Sequence, residues 1–316
     1  EDTNPEDVAG MRAAEGILTA RGGMTSHAAL VARGWGKCCI VGADTMHIDS
    51  VGGKMTTNEK TYRKGDILTL NGTKGYVYEG KLNMMDATEN PKFKAFMTLA
   101  DKQRKLGVRA NADTPADAAA ARKFGADGIG LFRTEHMFYG ENSEKPLFLL
   151  RQMILCNTVE ERKSVLNKLF PYVKTEMKET LSVMQGLPVT FRLLDPPLHE
   201  FVPQDRDQQK ELADSLGIDI KEIVRRGEHH HEVNPMMGHH GVRLTITYPE
   251  ISEMQIRAIF EAAAELINDK VKALPEIMIP VTCDMNELVE LKTIIERIYN
   301  EILSEFNIKK INYLTG

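Results

Sequence analysis

Nothing in the 316 residues approaches the run of about 20 apolar residues that a membrane-spanning helix needs. The acidic start, "EDTNPED", lacks a basic segment leading into an apolar one, so no secretory leader is read there, although one could have been removed upstream. Basic residues never gather into a stripe with interleaved aromatics, and the formal net charge is -5. Both features argue against a nucleic-acid partner. A small phosphate-bearing ligand stays open, because it needs only local positive charge. Cysteine is scarce: Cys38, Cys39, Cys156 and Cys283 form no paired framework, which predicts free, buried thiols in a reducing compartment. The location expected is intracellular, in the cytoplasm or within an organelle.

The sequence does have ordinary globular content, 42% hydrophobic and 27% charged, enough for two domains with real cores. Residues 1–80 alternate β-rich runs ("GILTAR", "CCIVGA", "DILTLNG", "YVYEG") with glycines and two short helical patterns, the texture of a compact α/β unit. Residues 81–106 read as a polar, Pro-containing linker passing into a helix. From residue 107 strand and helix alternate. Strands are predicted at "GVRANA", "GIGLFRTE", "PVTFRLLD", "HGVRLTI" and "EIMIPVT", and "KINYLTG" reads as the opening of a sixth. Thr114 caps a helix between them, with Pro115 at its first position. This alternation predicts a parallel sheet with crossover helices. Arg133 and Glu135, Arg192 and Asp195, and Arg243 stand near predicted strand ends, where a (β/α)8 barrel builds its site. A closed barrel of that type has eight strands, so an incomplete (β/α)8 barrel is expected over 107–316.

"GGMTSHAALVARGWGKCCIVG" holds the most pointed chemistry. Gly22 and Gly23 allow close backbone approach or positive φ, Thr25 or Ser26 can cap the helix that "HAALVARG" begins, and the free N–H groups of that helix start favour an anion. His27 placed there could attack a phosphoryl group as neutral imidazole and have the phosphate held by amides and hydroxyls. The plainer alternative is a half-buried helix-start histidine satisfied by a backbone carbonyl.

The run "ILTARGGMTSHAALVARGWGKCCIVG" resembles the phosphohistidine signature of the phosphoenolpyruvate-utilising enzymes, specifically their dikinase branch. The likeness continues through "GADGIGLFRTEHMF", "FRLLDPPLHEFVP", "EVNPMMGHHGVRL" and "PEIMIP" and so covers nearly the whole chain. The resemblance implies a phosphotransferase that interconverts ATP, phosphate and pyruvate with AMP, diphosphate and phosphoenolpyruvate. His27 would carry the phosphoryl group on a swivelling domain, with Gly22, Gly23, Thr25 and Ser26 supporting the phosphate. Arg133 and Arg192 would hold the phosphate and carboxylate of phosphoenolpyruvate, a role suited to a forked guanidinium. Without the resemblance, each arginine reads equally well as half of a salt bridge to Glu135 or Asp195. Thr25 matches the position at which plant members are phosphorylated for regulation. For the complete enzyme the resemblance implies Mg2+, a monovalent cation and a homodimer.

Three departures are expected to matter. The family's ATP-grasp nucleotide-binding domain and the first strands of the swivelling domain lie outside this sequence, so ATP and phosphate would reach the chain only through that absent domain. The likeness stops before the segments that supply the magnesium ligands and the proton-donating cysteine, so no metal ligand is assigned and this chain alone is expected to be inactive. Finally, His240 stands where the family usually has an arginine of the phosphate-binding cluster, and weaker phosphoenolpyruvate binding is expected. The run from Gly227 to Glu232, rich in histidine, followed by His239 and His240, raises zinc binding, but consecutive residues diverge rather than converge on one ion. Two other readings remain: a fragment of the related synthase, against which Met24 and "GKCC" argue, and a non-catalytic truncated binding or regulatory module. An unfinished barrel would unfold with low cooperativity, and one sharp two-state transition of the whole chain would count against it.

Overall fold

The computed structural model describes all residues except 1–2, 4–6, 35, 50–51, 58–59, 85–89, 140–142, 204 and 230–237. The chain divides into two compact units, Glu1–Leu99 and Ala100–Gly316. The elements of the first are α1 (Val8–Ala13), β1 (Gly16–Leu18), α2 (His27–Gly34), β2 (Cys38–Ile40), β3 (His47–Asp49), β4 (Lys54–Thr57), β5 (Lys60–Arg63), β6 (Leu68–Asn71) and β7 (Tyr76–Glu79). Helix α3 (Pro91–Gln103) contains the division.

Strands β1 and β2 pair in parallel, β3, β4 and β5 form an antiparallel meander, and β6 pairs with β7 as a hairpin. The four β-rich runs read in the sequence match β1, β2, β6 and β7. The meander escaped notice because "HID", "KMTT" and "KTYR" are polar and mostly half-buried or exposed, leaving little hydrophobic alternation to detect. In the core, Ala28 and Ala32 of α2 are fully buried in a cluster with Met11 and Ile17.

The second unit runs β8 (Ala110–Asn111), α4 (Pro115–Lys123), β9 (Ile129–Arg133), α5 (Glu144–Ile154), α6 (Val159–Val183), β10 (Pro188–Arg192), α7 (Arg206–Leu216), α8 (Ile220–His229), α9 (Val242–Thr247), α10 (Pro249–Asn268), β11 (Leu274–Met278), α11 (Met285–Glu305) and β12 (Leu314–Thr315). Its sheet has the order β12-β11-β10-β9-β8, parallel throughout. Among the described residues these five strands form an open sheet in which each strand lies beside its neighbour in sequence, the order a (β/α) barrel also has. Thr114 caps α4 as expected, its side chain accepting from Asp117 N at 3.1 Å.

One predicted strand is a helix. "HGVRLTI" alternates and is rich in β-branched residues, yet residues 242–247 form α9. Gly241, at φ 58° and ψ −133°, makes a turn that a side chain would obstruct, since a Cβ there would lie 2.9 Å from Val281 Cγ2. Thr245 and Thr247 return their hydroxyls to Val242 O and Arg243 O. Val242, Leu244 and Thr245 are buried, so tertiary packing overrides strand propensity. Arg243 therefore does not end a strand. The cysteines are free, but Cys38, Cys39 and Cys156 are only half-buried and Cys283 is exposed, against the expectation of burial.

Alternation orients the sheet. Val189 and Phe191 of β10 face the helical layer and are fully buried, while Thr190 and Arg192 lie half-buried on the opposite face. Strand β9 departs from strict alternation. Ile129 pairs with Val189 and Phe132 with Phe191, so Gly130 and Leu131 together oppose Thr190. The extra residue is a β-bulge, which bends a strand and re-aims its side chains. It keeps Ile129 and Phe132 both on the core face, with Phe132 edge-on to Phe191 at 5.2 Å, and brings Arg133 level with Arg192.

Helices α6 and α10 supply much of the core, and their starts are joined by the buried pair Arg162–Glu250, Nε to Oε1 2.5 Å. The guanidinium also lies 4.6 Å from the centre of the Tyr248 ring. Removing one partner strands a buried charge. Glu250→Ala is therefore expected to lower the unfolding free energy by about 3 kcal/mol, measured by urea titration. At the surface Asp127 accepts from Arg104 Nη2 at 2.9 Å and from Val108 N at 2.7 Å. Hydrogen bonds from Arg104, then from Val108, hold its carboxyl down to about 2. Because the folded value lies below the unfolded one of about 4, this stabilisation is present above pH ~4 and is lost as pH falls toward 2. Asp127→Asn should flatten the wild-type loss of melting temperature across that window.

Candidate functional site

In the first unit, the loop between β1 and α2 presents His27. Gly22 takes φ 105°, and Ser26 N donates to Gly23 O at 2.9 Å. Gly42 packs on this loop so closely that a Cβ would stand 2.7 Å from Gly22 O. Ser26, rather than Thr25, caps the helix: its Oγ accepts from Ala29 N at 3.4 Å and its carbonyl from Leu30 N at 3.0 Å. The main-chain N–H groups of His27 and Ala28 have no acceptor among the described residues, as the first turn of a helix dictates. His27 is half-buried, with Nδ1 3.3 Å from Thr3 Oγ1. Thr25 is exposed and Met24 is 78% exposed. The plainer alternative, a ring tied to a backbone carbonyl, finds no such carbonyl among the described residues, and the ring contacts a hydroxyl instead.

In the second unit, the carboxyl edge of the sheet collects charge. Arg133 ends β9 and Arg192, its register partner, ends β10. Each is met by carboxylates. Arg192 Nη2 donates to Glu135 Oε1, and its Nη1 lies 3.0 Å from Asp195 Oδ2. Arg133 turns away from both anticipated carboxylates and forks onto Asp113, which follows β8: its Nε donates to Oδ1 at 3.1 Å, its Nη2 to Oδ2, and its own amide to Oδ1 at 3.2 Å. Burial disfavours ionisation of Asp113, but the Arg133 hydrogen bonds outweigh it and hold its carboxyl below the usual carboxylate range. The Asp113 side chain also takes His136, Nδ1 to Oδ2 3.1 Å.

Three buried atoms here, Arg192 Nε, Glu135 Oε2 and Asp195 Oδ1, have no hydrogen-bond partner among the described residues. Such groups carry an unrecovered desolvation cost, of about 1–3 kcal/mol each, that a bound ligand or water can relieve. His240 joins the same cluster: its Nδ1 lies 3.2 Å from Asp195 O, which requires the proton on that nitrogen, and 3.5 Å from Asp195 Oδ1. Arg243 instead donates from Nη1 to Gly238 O at 2.8 Å.

Sequence reasoning missed Asp113 and His136, and also a link at the other end of the open sheet face. Arg109 reaches past β9 to Glu276, Nη1 to Oε2 2.5 Å, and to Thr190 Oγ1 at 3.2 Å. Gly130 leaves it room, since a Cβ there would lie 3.0 Å from Arg109 Cβ. A glycine inside a strand pattern signals a bulge or a close approach, and "GIGLFR" carried that signal. The histidines at 230 and 231 with Glu232 lie outside the described residues.

Among the described residues no group of three His, Cys, Asp or Glu side chains could hold a metal ion. Glu135 and Asp195 are both tied to Arg192. The described residues therefore do not fit a magnesium ion. No helix among the described residues is long and apolar enough to cross a membrane.

Comparison with known proteins agrees with these two halves. A family described as PEP-utilising enzyme, mobile domain, matches residues 1–75, and one described as PEP-utilising enzyme, PEP-binding domain, matches residues 87–316. A pyruvate, phosphate dikinase of Rhizobium meliloti (strain 1021) is 48% identical over 316 residues, which is 100% of this chain and 35% of that protein. Pyruvate, phosphate dikinase 1, chloroplastic, of Arabidopsis thaliana is 48% identical over 306 residues, covering 96% of this chain and 32% of that protein. The pyruvate, phosphate dikinase of Clostridium symbiosum is 45% identical over 305 residues, covering 96% and 35%. This chain thus spans about a third of the length of the relatives it matches. It belongs to the family of PEP-utilising enzymes, with the mobile domain followed by the PEP-binding domain.

Proposed function

We propose that the chain carries two working parts of a pyruvate, phosphate dikinase, which interconverts ATP, phosphate and pyruvate with AMP, diphosphate and phosphoenolpyruvate. Residues 1–80 are the phosphohistidine carrier and residues 107–316 the phosphoenolpyruvate- and pyruvate-binding part, joined by 81–106. His27 is the phosphoryl acceptor. Its imidazole attacks the phosphorus of phosphoenolpyruvate, the bond from phosphorus to the enol oxygen breaks and the enolate of pyruvate leaves, while the adjoining amides of His27 and Ala28 and the hydroxyls of Thr25 and Ser26 receive the phosphate oxygens. Arg133 and Arg192 bind the phosphate and carboxylate of phosphoenolpyruvate and offset charge developing on the transferring group. The observation that carries this reading is their register: two guanidiniums on adjacent strand ends of a parallel sheet, the edge at which such folds bind ligands.

Nucleotide, inorganic phosphate and magnesium are used by the whole enzyme, of whose relatives this chain spans about a third of the length. Thr25, exposed two residues before His27, is the candidate regulatory phosphosite. The whole enzyme is expected to be a homodimer that requires Mg2+ and a monovalent cation. The relatives' printed names support the dikinase over a synthase.

The chain is incubated with phosphoenolpyruvate and magnesium and analysed by intact-mass and peptide-level mass spectrometry for an acid-labile phosphoryl group. Phosphate on His27, absent from His27→Ala, supports the carrier role. Arg133→Gln and Arg192→Gln should each slow the transfer by at least about a hundred-fold, the scale of losing one charge-stabilising donor. A folded chain that is never phosphorylated, even when the missing parts of the enzyme are supplied in trans, sinks the assignment of His27.

A further inference from the structure

The turn that follows β9 holds an unused base. Residues Thr134–Phe138 form a 3-10 helix, whose three-residue repeat stacks positions i and i+3. That places His136 on the side of Arg133, and both reach the same oxygen, Asp113 Oδ2. Asp113 is ionised at neutral pH and can only accept hydrogen bonds. A bare Nδ1 lone pair 3.1 Å from an ionised carboxylate oxygen would be repelled, which favours the neutral His136 ring with its proton on Nδ1. Nε2 is left as a lone pair with no partner among the described residues, on a side chain 43% accessible. Asp113 likewise consumes the Nε edge of Arg133 and leaves Nη1 for a ligand.

We propose that Asp113 is a positioning residue that fixes Arg133 and His136 as one unit, and that His136 is a further binding residue whose Nε2 meets a phosphate oxygen of the ligand held by Arg133. The inference rests on the reading of Arg133 as an anion-binding residue. A neutral ring accepts from a protonated phosphate and a protonated ring donates to an ionised one, so either form makes the contact and no bond other than hydrogen bonds need form. The ligand class is a phosphorylated carboxylic acid whose phosphate lies over the Arg133–His136 side, with Arg192 one strand away for the carboxylate.

The test uses the full chain labelled with 15N-histidine, with the ring signals assigned through His136→Gln. Long-range 1H–15N spectra above the ring's titration should show the Nδ1–H tautomer in the wild type and a mixed or Nε2–H population in Asp113→Asn. The Nε2 signal should move on addition of phosphoenolpyruvate. By calorimetry, Asp113→Asn and His136→Gln should each weaken phosphoenolpyruvate binding about ten-fold, the scale of one hydrogen bond to a charged group, and Asp113→Glu should restore part of the loss. An Nε2–H tautomer in the wild type overturns the proposal whether or not ligand binds. Lost binding in Arg133→Gln together with unchanged binding in His136→Gln overturns the His136 contact and leaves the site reading standing. A folded wild type that binds no phosphoenolpyruvate, or Arg133→Gln binding as the wild type does, overturns the site reading and the His136 contact with it.

Discussion

One inserted residue organises the second unit. Side chains in a strand alternate strictly, so without the bulge at Gly130 and Leu131 and with Ile129 in the core, Phe132 would turn to the open face and Arg133 into the core. With it, the aromatic pair Phe132–Phe191 closes the core, and one residue later the arginine pair stands on the open face. Neighbouring strands lie only about 4.8 Å apart, so two guanidiniums at matched positions would repel strongly if bare. Asp113 on one flank and Glu135 with Asp195 on the other neutralise them. The carboxylates thus make the arginine pair tolerable in the folded chain and set the competition that an incoming anion faces.

The two units solve the same problem, holding a charged or reactive group in place, by different means. Around His27 the means are backbone: a glycine-shaped loop, a serine cap and amides left open by the start of a helix. Around Arg133 and Arg192 they are side chains with opposite charge on rigid strand ends. The role proposed for His27 requires accepting and giving up a cargo, for which polarised amides suffice. The role proposed for the two arginines requires fixing orientation, for which forked ion pairs on a sheet are better suited.

Much of this was legible in the sequence, and the exceptions share a cause. The helix start at His27, the cap at Thr114 and the parallel strands carrying Arg133 and Arg192 all follow from local signals: small residues, hydroxyls, Pro and hydrophobic runs. The failures concern relations between distant segments. "HGVRLTI" has the composition of a strand, but the place available to it beside α10 and α11 is a helical one. Asp113 falls between the predicted strand "GVRANA" and the Thr114 cap, and nothing local says that it ends level with β9. Pairing Arg133 with Asp113, rather than with Glu135 two residues on, depends on the strand order and the bulge.

The small residues of α2 have a geometric consequence. Ala28 and Ala32 are fully excluded from solvent in a cluster with Ile17 and Met11. A methyl is the spacer between the helix axis and the two parallel strands beneath it. The height at which the imidazole of His27 rides above those strands is therefore set by the thickness of alanine. A change to valine on the buried side would tilt or lift the whole first turn, and would shift the His27 ring without touching any atom of the loop that presents it.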